Sequence, residues 1–396
     1  MRLKSVFAIA LVVIAYALSL TAQTASGGQL RPHHHYKLID VGTFGGPGGG
    51  IVYPSSRILN SSGEVIGASD TGIPDPFAPN CFLDCYVLNG WIWQDGVRTN
   101  LGTLPGGASS VPSAINAYGV IVGQAQNGTV DSLTGWPETD AVLWEHGQVR
   151  NLGNLGGTQG IANAINNGGL VVGAALTTTA DPFANSPLTG CFYLPTTGFN
   201  CTSLPLNANA VFYPGTTESH AFLWQRGQMR DLGTLGGPDS AAWIINDRGQ
   251  VAGFSFTSFN ANPSTGVPTV DPFLWDPTDG RMKDLGGLGG TSGAPQWMNN
   301  LGEVVGSSNL PGDTVNHPFL WSKGVMTDLG TTGGNFGVAF SINDAGEVVG
   351  TIQDVAPLTN IHAFLWKGGT ITNLGTVDGD PCSQAFRLAL TRIARS

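Results

Sequence analysis

The sequence predicts an all-β chain folded as a β-propeller of four-stranded blades. One three-part phrase returns six times: a Leu-Gly phrase that ends in Gly-Gly in most copies, then Ile-Asn-x-x-Gly-x-Val-x-Gly with small variations, then Phe-Leu-Trp or a close relative. The two shortest spacings, 44 residues from Leu285 to Leu329 and 45 residues from Leu329 to Leu374, match one blade. The repeats run from about residue 36 to the end, which favours one array over several domains.

Each copy divides into four short predicted strands, labelled a to d. In the fourth copy, strand a ends at Asn246, strand b ends near Gly253, strand c ends at Trp275, and strand d leads to Leu285. Asn tolerates left-handed backbone angles and Gly adopts positive φ cheaply, so Asn-x-x-Gly between apolar segments predicts a hairpin turn. The six turns are Asn60/Gly63, Asn116/Gly119, Asn166/Gly169, Asn246/Gly249, Asn299/Gly302 and Asn343/Gly346.

A single four-stranded sheet buries too little surface to fold alone, so the blades are expected to stack around an axis. The repeated Phe, Leu and Trp would fill the interfaces, each contributing roughly 1.5–3 kcal/mol. Residues 36–42 look like a strand d without its own a, b and c, and residues 384–390 look like a strand a. The two segments predict an incomplete seventh blade; the alternative is six blades with a ragged end. A β-helix is less favoured because its repeats are shorter.

The phrase resembles the bacterial HAF-repeat extracellular proteins. The resemblance rests on His220-Ala221-Phe222-Leu223-Trp224 and His362-Ala363-Phe364-Leu365-Trp366, with the phrases 231–237 and 342–350, and it covers nearly all of the mature chain. Copies one and two depart from it, with Trp-Ile-Trp at 91–93 and Val-Leu-Trp at 142–144. The resemblance implies an exported, repeat-built protein and brings no general activity with it.

The N-terminus predicts export. Arg2 and Lys4 precede an apolar run over residues 6–20, and small and polar residues follow. We expect a signal peptide over residues 1–26, cleaved between 22 and 26, a flexible mature N-terminus over 27–35, and a single propeller over 36–396. A retained anchor is the weaker alternative, because the run is short for a span of about 20 residues. The expected location is secreted or extracellular, with the periplasm or cell surface as alternatives.

Composition excludes some partners. Only 11% of residues are charged and the formal net charge is −10, which argues against nucleic acid and anionic membrane surfaces. No second apolar stretch is long enough to span a membrane. The protein is expected to be a monomer.

Five cysteines suit an oxidising compartment. Cys81 and Cys85 lie in one insertion, Cys191 and Cys201 lie in another, and Cys382 is left over. The two clustered pairs predict structural disulfides rather than a metal site. Neither a metal nor a cofactor is expected.

Copies one to four differ in length mainly between strands b and c, over residues 68–89, 124–140, 174–220 and 254–271. These connections and the d–a phrases share one face of a propeller, and loops on a rigid scaffold commonly carry function. Trp136, Tyr193 and Tyr213 are candidates for stacking on sugar rings, and Asp140 and Glu218 are candidate polar contacts. The alternative is that these segments are tolerated surface insertions.

The residue near the start of strand c is often ionisable, as in Asp140, Asp271 and three histidines, His220, His317 and His362. These positions lie two strand spacings from the innermost strand, too far apart to share a metal, so a local hydrogen bond is expected instead. The turns that contain Asp247 and Asp344 lack the alternating acids of a calcium loop.

The sequence favours a binding or interaction scaffold whose ligand is a carbohydrate or another extracellular protein. Two alternatives remain: a propeller enzyme acting on a glycan, and a structural envelope or matrix protein without a ligand. No residue is assigned a catalytic role, because no catalytic motif occurs. Carboxylates of the variable face could supply the pair that a glycan enzyme needs, but spacing alone does not establish one; they are Asp131, Glu138, Asp140 and Glu218.

Overall fold

The computed structural model describes residues 39–50, 57–81, 85–184, 192–194, 198–200, 216–353 and 361–375. These residues form strands and turns, and no helix occurs among them. The predicted signal peptide, the predicted mature N-terminus and the candidate closing strand at 384–390 lie outside the described residues.

The described strands form six four-stranded antiparallel sheets, and each matches one repeat. Blade one contains β1 (Gly45–Gly50), β2 (Val65–Pro74), β3 (Tyr86–Gln94) and β4 (Val97–Asn100), and blade two contains β5 (Ser110–Ile115), β6 (Ile121–Val130), β7 (Pro137–Glu145) and β8 (Gln148–Asn151). Blade three contains β9 (Gly160–Ile165), β10 (Val171–Ala180), β13 (Thr217–Gln225) and β14 (Gln228–Gly233), and a separate hairpin of β11 (Phe192–Leu194) and β12 (Gly198–Asn200) lies between β10 and β13.

The last three blades have shorter second strands than the first three. Blade four contains β15 (Ser240–Ile245), β16 (Val251–Phe256), β17 (Val270–Trp275) and β18 (Met282–Asp284). Blade five contains β19 (Gly293–Met298), β20 (Val304–Asn309), β21 (Asn316–Ser322) and β22 (Val325–Asp328), and blade six contains β23 (Gly337–Ile342), β24 (Val348–Gln353), β25 (Ile361–Lys367) and β26 (Thr370–Asn373).

The strand order a-b-c-d is the same in every blade, and strand a is the innermost strand. The first strands of successive blades contact one another from β5 through β9, β15 and β19 to β23, and each also packs on the b and c strands of the blade before it. This arrangement confirms the predicted β-propeller of four-stranded blades.

The apolar core lies between blades rather than within one sheet. Phe273 of β17 is fully buried, and it shares a cluster with Val172 and Ala221 of the preceding blade. The matching residues Phe222, Phe319 and Phe364 are also fully buried. A basic side chain on strand d then covers the Trp of the next blade: Arg150 over Trp224, Arg230 over Trp275 and Lys283 over Trp321, at 5.0, 5.4 and 5.0 Å from the ring centroid.

In blades two to six, strand b contains a glycine that lets strand a approach closely. A Cβ on Gly253 would lie 1.9 Å from the carbonyl oxygen of Ala241. Strand a carries a bulge here, between Ala242 and Ile244, which brings its backbone against the glycine. The repeated Val-x-Gly therefore reflects packing of the backbone rather than a second turn.

The segment before blade one differs from the prediction. Residues 39–42 are not in a strand, which differs from the strand d expected over 36–42; residues 36–38 lie outside the described residues. Arg98 of β4 holds this segment instead. Its Nη1 donates to Val41 O at 2.8 Å, its Nη2 donates to Thr43 O, and its guanidinium lies 4.2 Å from the Phe44 ring centroid.

The predicted turns are confirmed, and their asparagines also join the blades. In the turn of blade four, Asn246 Oδ1 accepts the amides of Arg248 and Gln250 at 3.1 and 3.0 Å. Its Nδ2 donates to Gln250 Oε1 at 2.8 Å and to the carbonyl oxygen of Asn299 in the next turn at 3.1 Å. One carboxamide thus closes its own turn and binds the neighbouring blade.

The same bond recurs between all adjacent described turns. Each asparagine Nδ2 donates to the carbonyl oxygen of the next turn asparagine: Asn60 to Asn116 at 3.2 Å, Asn116 to Asn166 at 3.3 Å, Asn166 to Asn246 at 3.0 Å, Asn246 to Asn299 at 3.1 Å and Asn299 to Asn343 at 3.1 Å. We call this series the asparagine chain. It runs along the end of the innermost strands.

A second bond reinforces the asparagine chain from blade two to blade six. The residue after the turn asparagine accepts a backbone amide from the preceding turn: Ala117 N to Asn167, Asn167 N to Asp247, Asp247 N to Asn300 and Asn300 N to Asp344, at 3.0 to 3.1 Å. Asp247 and Asp344 are therefore hydrogen-bond acceptors between turns, which agrees with the rejection of a calcium loop.

Replacing Asn246 tests this arrangement. Asn246→Ala removes four hydrogen bonds of a buried side chain and should lower the free energy of unfolding by about 2–4 kcal/mol. Asn246→Asp keeps the two turn bonds accepted by Oδ1 but loses donation to Asn299, so its loss should be intermediate. The measurement is urea unfolding, read from the midpoint at constant slope.

Asp247→Ala is the matched control, because Asp247 is the exposed neighbour of Asn246 in the same turn. This variant should lose only about 0.5–1 kcal/mol of the free energy of unfolding. Equal losses in Asn246→Ala and Asp247→Ala would contradict the importance of the asparagine carboxamide.

Candidate functional site

The strand order separates two faces of the propeller. The a–b turns and c–d turns lie on one face, which carries the asparagine chain. The b–c connections and the d–a phrases lie on the other, which we call the variable face. Strand b spans ten residues in blades one to three and six residues in blades four to six. The first three blades therefore extend their hairpins on the variable face.

An aspartate closes each extended strand b. Asp75, Asp131 and Asp181 are buried, and their Oδ1 atoms accept the amide two residues further on, from Phe77 at 2.9 Å, Leu133 at 2.7 Å and Phe183 at 2.7 Å. Such aspartate turns order the base of each b–c connection without a long regular strand.

The b–c connections of blades one and two are held together. A disulfide joins Cys81 and Cys85, which confirms the first predicted pair. Asn80 Nδ2 donates to Gly135 O of the neighbouring connection at 2.7 Å. The second predicted pair, Cys191 and Cys201, and the remaining Cys382 lie outside the described residues.

The candidate binding residues are placed unevenly. Trp136 is half-buried just before β7, and Asp140 and Glu218 are buried on β7 and β13. Asp140 Oδ2 accepts from Asn127 at 3.1 Å and from Asn151 at 2.7 Å, which gives it a structural task. The structure therefore places Trp136 and Asp140 in blade two and Glu218 in blade three. The side chains of Tyr193 and Tyr213 lie outside the described part of the chain.

Sequence reasoning missed the exposed aliphatic side chains of the variable face. Leu133 is 78% exposed at the end of the second extended hairpin, and Ile73 and Val130 are also exposed on the first and second hairpins. Their positions close to Asp75 and Asp131 in the sequence could have indicated this exposure, because apolar residues beside a loop turn are not expected to pack in the core.

The ionisable position on strand c bonds to strand d. His220 Nδ1 lies 2.8 Å from Asp231 Oδ2, and His317 Nδ1 lies 2.9 Å from both carboxylate oxygens of Asp328. Asp231 Oδ1 also accepts the amide of Gly233 at 2.7 Å, so this pair supports the Leu-Gly turn. The expected local hydrogen bond thus runs between two adjacent strands.

The His220–Asp231 pair shifts both pKa values. Burial alone would lower the pKa of His220, but the hydrogen bond and charge of Asp231 raise it overall. Burial alone would raise the pKa of Asp231, but the bond from His220 lowers it overall. Both shifts favour the ion pair.

An unusual acidic group lies where blade three meets blade four. Asp239, just before β15, is 1% exposed, and its Oδ1 accepts the amide of Ser219 at 2.7 Å. Burial, with the nearby charges of Asp181 and Glu218, raises the pKa of Asp239 to about 8. Burial also raises the pKa values of Asp181 and Glu218. We call Asp181, Glu218, Ser219 and Asp239 the third junction.

The described residues contain neither a metal-binding group nor a membrane-spanning helix. Among the described residues, no group of three or more His, Cys, Asp or Glu side chains could hold a metal ion. In that same part of the chain, no helix has the length and apolar character needed to cross a membrane.

No family model matches the sequence, and no curated protein matches it. Among solved structures, the chain is similar to the β-propeller domain of the Trilobed protease from Pyrococcus furiosus, with 9% identity, a TM-score of 0.43 and coverage of 81% of each chain. It is also similar to Porphyromonas gingivalis dipeptidyl peptidase 4, with 12% identity and a TM-score of 0.43, over 80% of this chain and 45% of that chain. A third match is Kuenenia stuttgartiensis hydrazine synthase, with 9% identity and a TM-score of 0.39, over 78% of this chain and 44% of that chain.

The pKa of Asp239 predicts a pH effect on stability. In the folded protein Asp239 keeps its proton up to about pH 8, whereas an unfolded Asp releases it near pH 4. The unfolded state therefore binds fewer protons between these values, and the contribution of Asp239 to stability falls as pH rises from about 4 to about 8. Asp239→Asn should have a higher urea midpoint of unfolding than the unsubstituted protein near pH 8, and the difference should shrink as the pH falls towards 4.

Asp131→Asn is the control with the opposite sign. Burial alone would raise the pKa of Asp131, but hydrogen bonds from Thr158 and the turn amides lower it overall. Its stabilising contribution is present above about pH 4 and is lost as pH falls through the lowered pKa. The same pH trend in both variants would show that the two junctions do not differ as described.

Proposed function

We propose that the chain is an exported binding scaffold whose variable face contacts a ligand. The observation that carries this proposal is the restriction of extended hairpins to one face and to three adjacent blades. If these segments were only tolerated insertions, the extended hairpins would not be expected to fall in three adjacent blades. The hydrogen bond from Asn80 to Gly135 between neighbouring b–c connections would not be expected either. The disulfide Cys81–Cys85 supports export into an oxidising compartment, which the predicted signal peptide also favours.

A protein partner is the class that the exposed side chains favour. Leu133, Ile73 and Val130 are aliphatic and exposed on adjacent hairpins. Desolvation of such groups is a main source of affinity between proteins, whereas sugar rings favour flat aromatic surfaces. The half-buried Trp136 keeps a carbohydrate ligand as the second candidate. An enzyme acting on a glycan is less favoured, because Asp239, the acid with the highest pKa in the junction, is too buried to reach a substrate.

The proposal includes membership of the HAF-repeat family. The pairs His220–Asp231 and His317–Asp328 support it. In each pair the His that precedes Phe-Leu-Trp bonds to the Asp that precedes the Leu-Gly phrase, so the two parts of the repeat are joined by one contact. The expected extracellular location follows from that membership and from the predicted signal peptide.

The binding proposal predicts that substitutions on the two faces differ in effect. The mature chain from Gly27 onward would be tested on a glycan array and against the extracellular and envelope proteins of its own source. Leu133→Asp on the variable face should weaken binding of the partner found by about 10-fold or more, as for a central contact residue.

Leu301→Asp is the matched control, because Leu301 is an exposed leucine in a turn of the opposite face. Binding should be unchanged in this variant. A partner that is lost with Leu301→Asp but kept with Leu133→Asp would contradict the assignment of the face. A glycan hit lost on Trp136→Ala would replace the protein partner by a carbohydrate.

A further inference from the structure

Blade six lacks the cover that the other blades have on the sheet face that turns towards the following blade, which we call the forward face. In blades one to five, the residue before the strand b glycine lies on this face and is fully buried; these residues are Ile66, Val122, Val172, Ala252 and Val305. The equivalent residue of blade six, Val349, is only half-buried, and Leu374, just after strand d, is 54% exposed. The forward face of blade six is therefore open where the other five are covered.

The asparagine chain also stops at blade six. Asn343 is half-buried, whereas the five preceding turn asparagines are buried. Its Nδ2 donates to Glu347 Oε2 of its own turn at 2.8 Å, and no following turn among the described residues accepts from it. At the preceding junction, Asn299 Nδ2 donates to a backbone carbonyl, so any segment in the next position could supply this acceptor.

The last described residues turn in the direction of this open face. Asn373 Oδ1 accepts the amide of Gly375 at 2.8 Å, and Gly375 has a φ of 72°. The same turn follows blade one, where Asn100 Oδ1 accepts the amide of Gly102 at 2.8 Å and Gly102 has a φ of 74°. From that turn the chain crosses to the innermost strand of blade two. The backbone at Gly375 begins the same crossing.

The sequence beyond Gly375 aligns without a gap to the segment that enters blade two. Residues 374–388 read Leu-Gly-Thr-Val-Asp-Gly-Asp-Pro-Cys-Ser-Gln-Ala-Phe-Arg-Leu, and residues 101–115 read Leu-Gly-Thr-Leu-Pro-Gly-Gly-Ala-Ser-Ser-Val-Pro-Ser-Ala-Ile. The alignment gives Ser383 the position of Ser110, which begins a strand a, and Leu388 the position of Ile115, which ends it. It thus assigns the pattern of a strand a to residues 383–388.

This pattern suits a strand that is covered on one side only. The last residue of each strand a packs against strand b of the preceding blade, as Met298 packs with Ala252, while the residue before it packs towards the following blade, as Ile244 does. Leu388 holds the first of these positions and Arg387 holds the second. Burial of an unpaired charge is costly, so Arg387 favours a strand whose far side faces solvent.

We propose that residues 383–388 dock on the forward face of blade six as one further innermost strand. Leu388 then covers Val349, and Asn343 donates to Ala389 O, which extends the asparagine chain by one bond. The docked strand holds the end of the propeller with a segment of the same chain. The proposal does not depend on the ligand-binding role proposed for the variable face.

Strand c of blade six offers the contact that sets the register of the docked strand. At the junction of blades three and four, Ser240 begins strand a, and its Oγ accepts the amide of Ala221 in strand c at 2.9 Å. Ser383 and Ala363 hold these two positions at the end of the propeller. The docked Ser383 accepts the amide of Ala363 in the same way.

The residue before each strand a lies beside the residue three before the central aromatic of strand c. Parallel bridges of this kind join Thr139 to Gln159, Val270 to Ser292 and Asn316 to Phe336. Ile361 and Cys382 hold the two positions at the end of the propeller. The proposal therefore brings Cys382 beside Ile361.

A disulfide trap tests the proposal in the mature chain from Gly27 onward. Ile361→Cys should link to Cys382 in most molecules under mild oxidation, because residues paired across adjacent strands lie within disulfide reach. Peptide mass spectrometry without reductant identifies the link. The Tm measured with reductant shows that the variant folds before it is oxidised.

Val270→Cys is the matched control, because Val270 holds the same position in blade four and lies beside Ser292. It should not link to Cys382. Absence of a link to Cys382 in folded Ile361→Cys, or equal linking in both variants, would overturn the proposal. A link found only in covalent dimers would assign the open face to a second copy of the chain and would also overturn it.

A second variant covers the case in which Ile361→Cys does not fold. Leu388→Asp should lower the Tm by about 2 °C or more, because it places a charge against strand b of blade six. Thr391→Asp makes a similar change outside the proposed strand and should leave the Tm unchanged. Equal Tm values in these two variants would contradict docking of residues 383–388.

Discussion

The asparagine chain is the constraint on which the rest of the propeller depends. Blades packed only through apolar side chains can slide, because dispersion and hydrophobic contacts are not directional. A hydrogen bond from each turn to the backbone of the next has one acceptor at one place, so it defines the rotation between blades. Since the same carboxamide also closes its own turn, the a–b hairpin and the blade interface form together. The close contact of the strand b glycine with strand a, as at Gly253, then positions the innermost strands.

Because the asparagine chain joins the blades on one face, the hairpins on the variable face can differ in length. The d–a phrases are held at strand d by Asp231 and its equivalents, and the hairpins of blades one to three lengthen beyond them without disturbing the inter-blade core. The third junction illustrates the range of this variation. The backbone arrangement is retained, while Pro238 and Asp239 replace the hydroxyl of Thr158 and the amide of Gln159 and so leave a group of buried acids with fewer hydrogen-bond donors. The side chains at a junction can thus differ between blades without a change of fold.

Much of the fold was predictable because it repeats. The period and the Asn-x-x-Gly turns indicated the four-stranded blades, and the spacing of Cys81 and Cys85 indicated their disulfide. Other features depend on contacts between copies, which a pattern within one copy does not reveal. The donation from Asn246 to the next turn is one example, and the meeting of Asp181 with Asp239 across two blades is another. Asp140, considered as a binding residue, instead bonds Asn127 and Asn151, a role that its place beside strand d determines.

Native-state hydrogen exchange gives the most direct test of the asparagine chain. Within this turn, the amide of Asn246 donates to Gln250 O and the amide of Gly249 donates to Asn246 O. Hydrogen bonds to the neighbouring blades hold the turn in place. If the asparagine chain joins the blades, the amides of the a–b turns should exchange slowly and at similar rates, opening only with the blades. Asn246→Ala should then increase exchange in the turns of both blade four and blade five, because it removes the donation to Asn299 O. Exchange at the rate of ordinary exposed hairpin loops, or an effect of Asn246→Ala confined to its own turn, would contradict it.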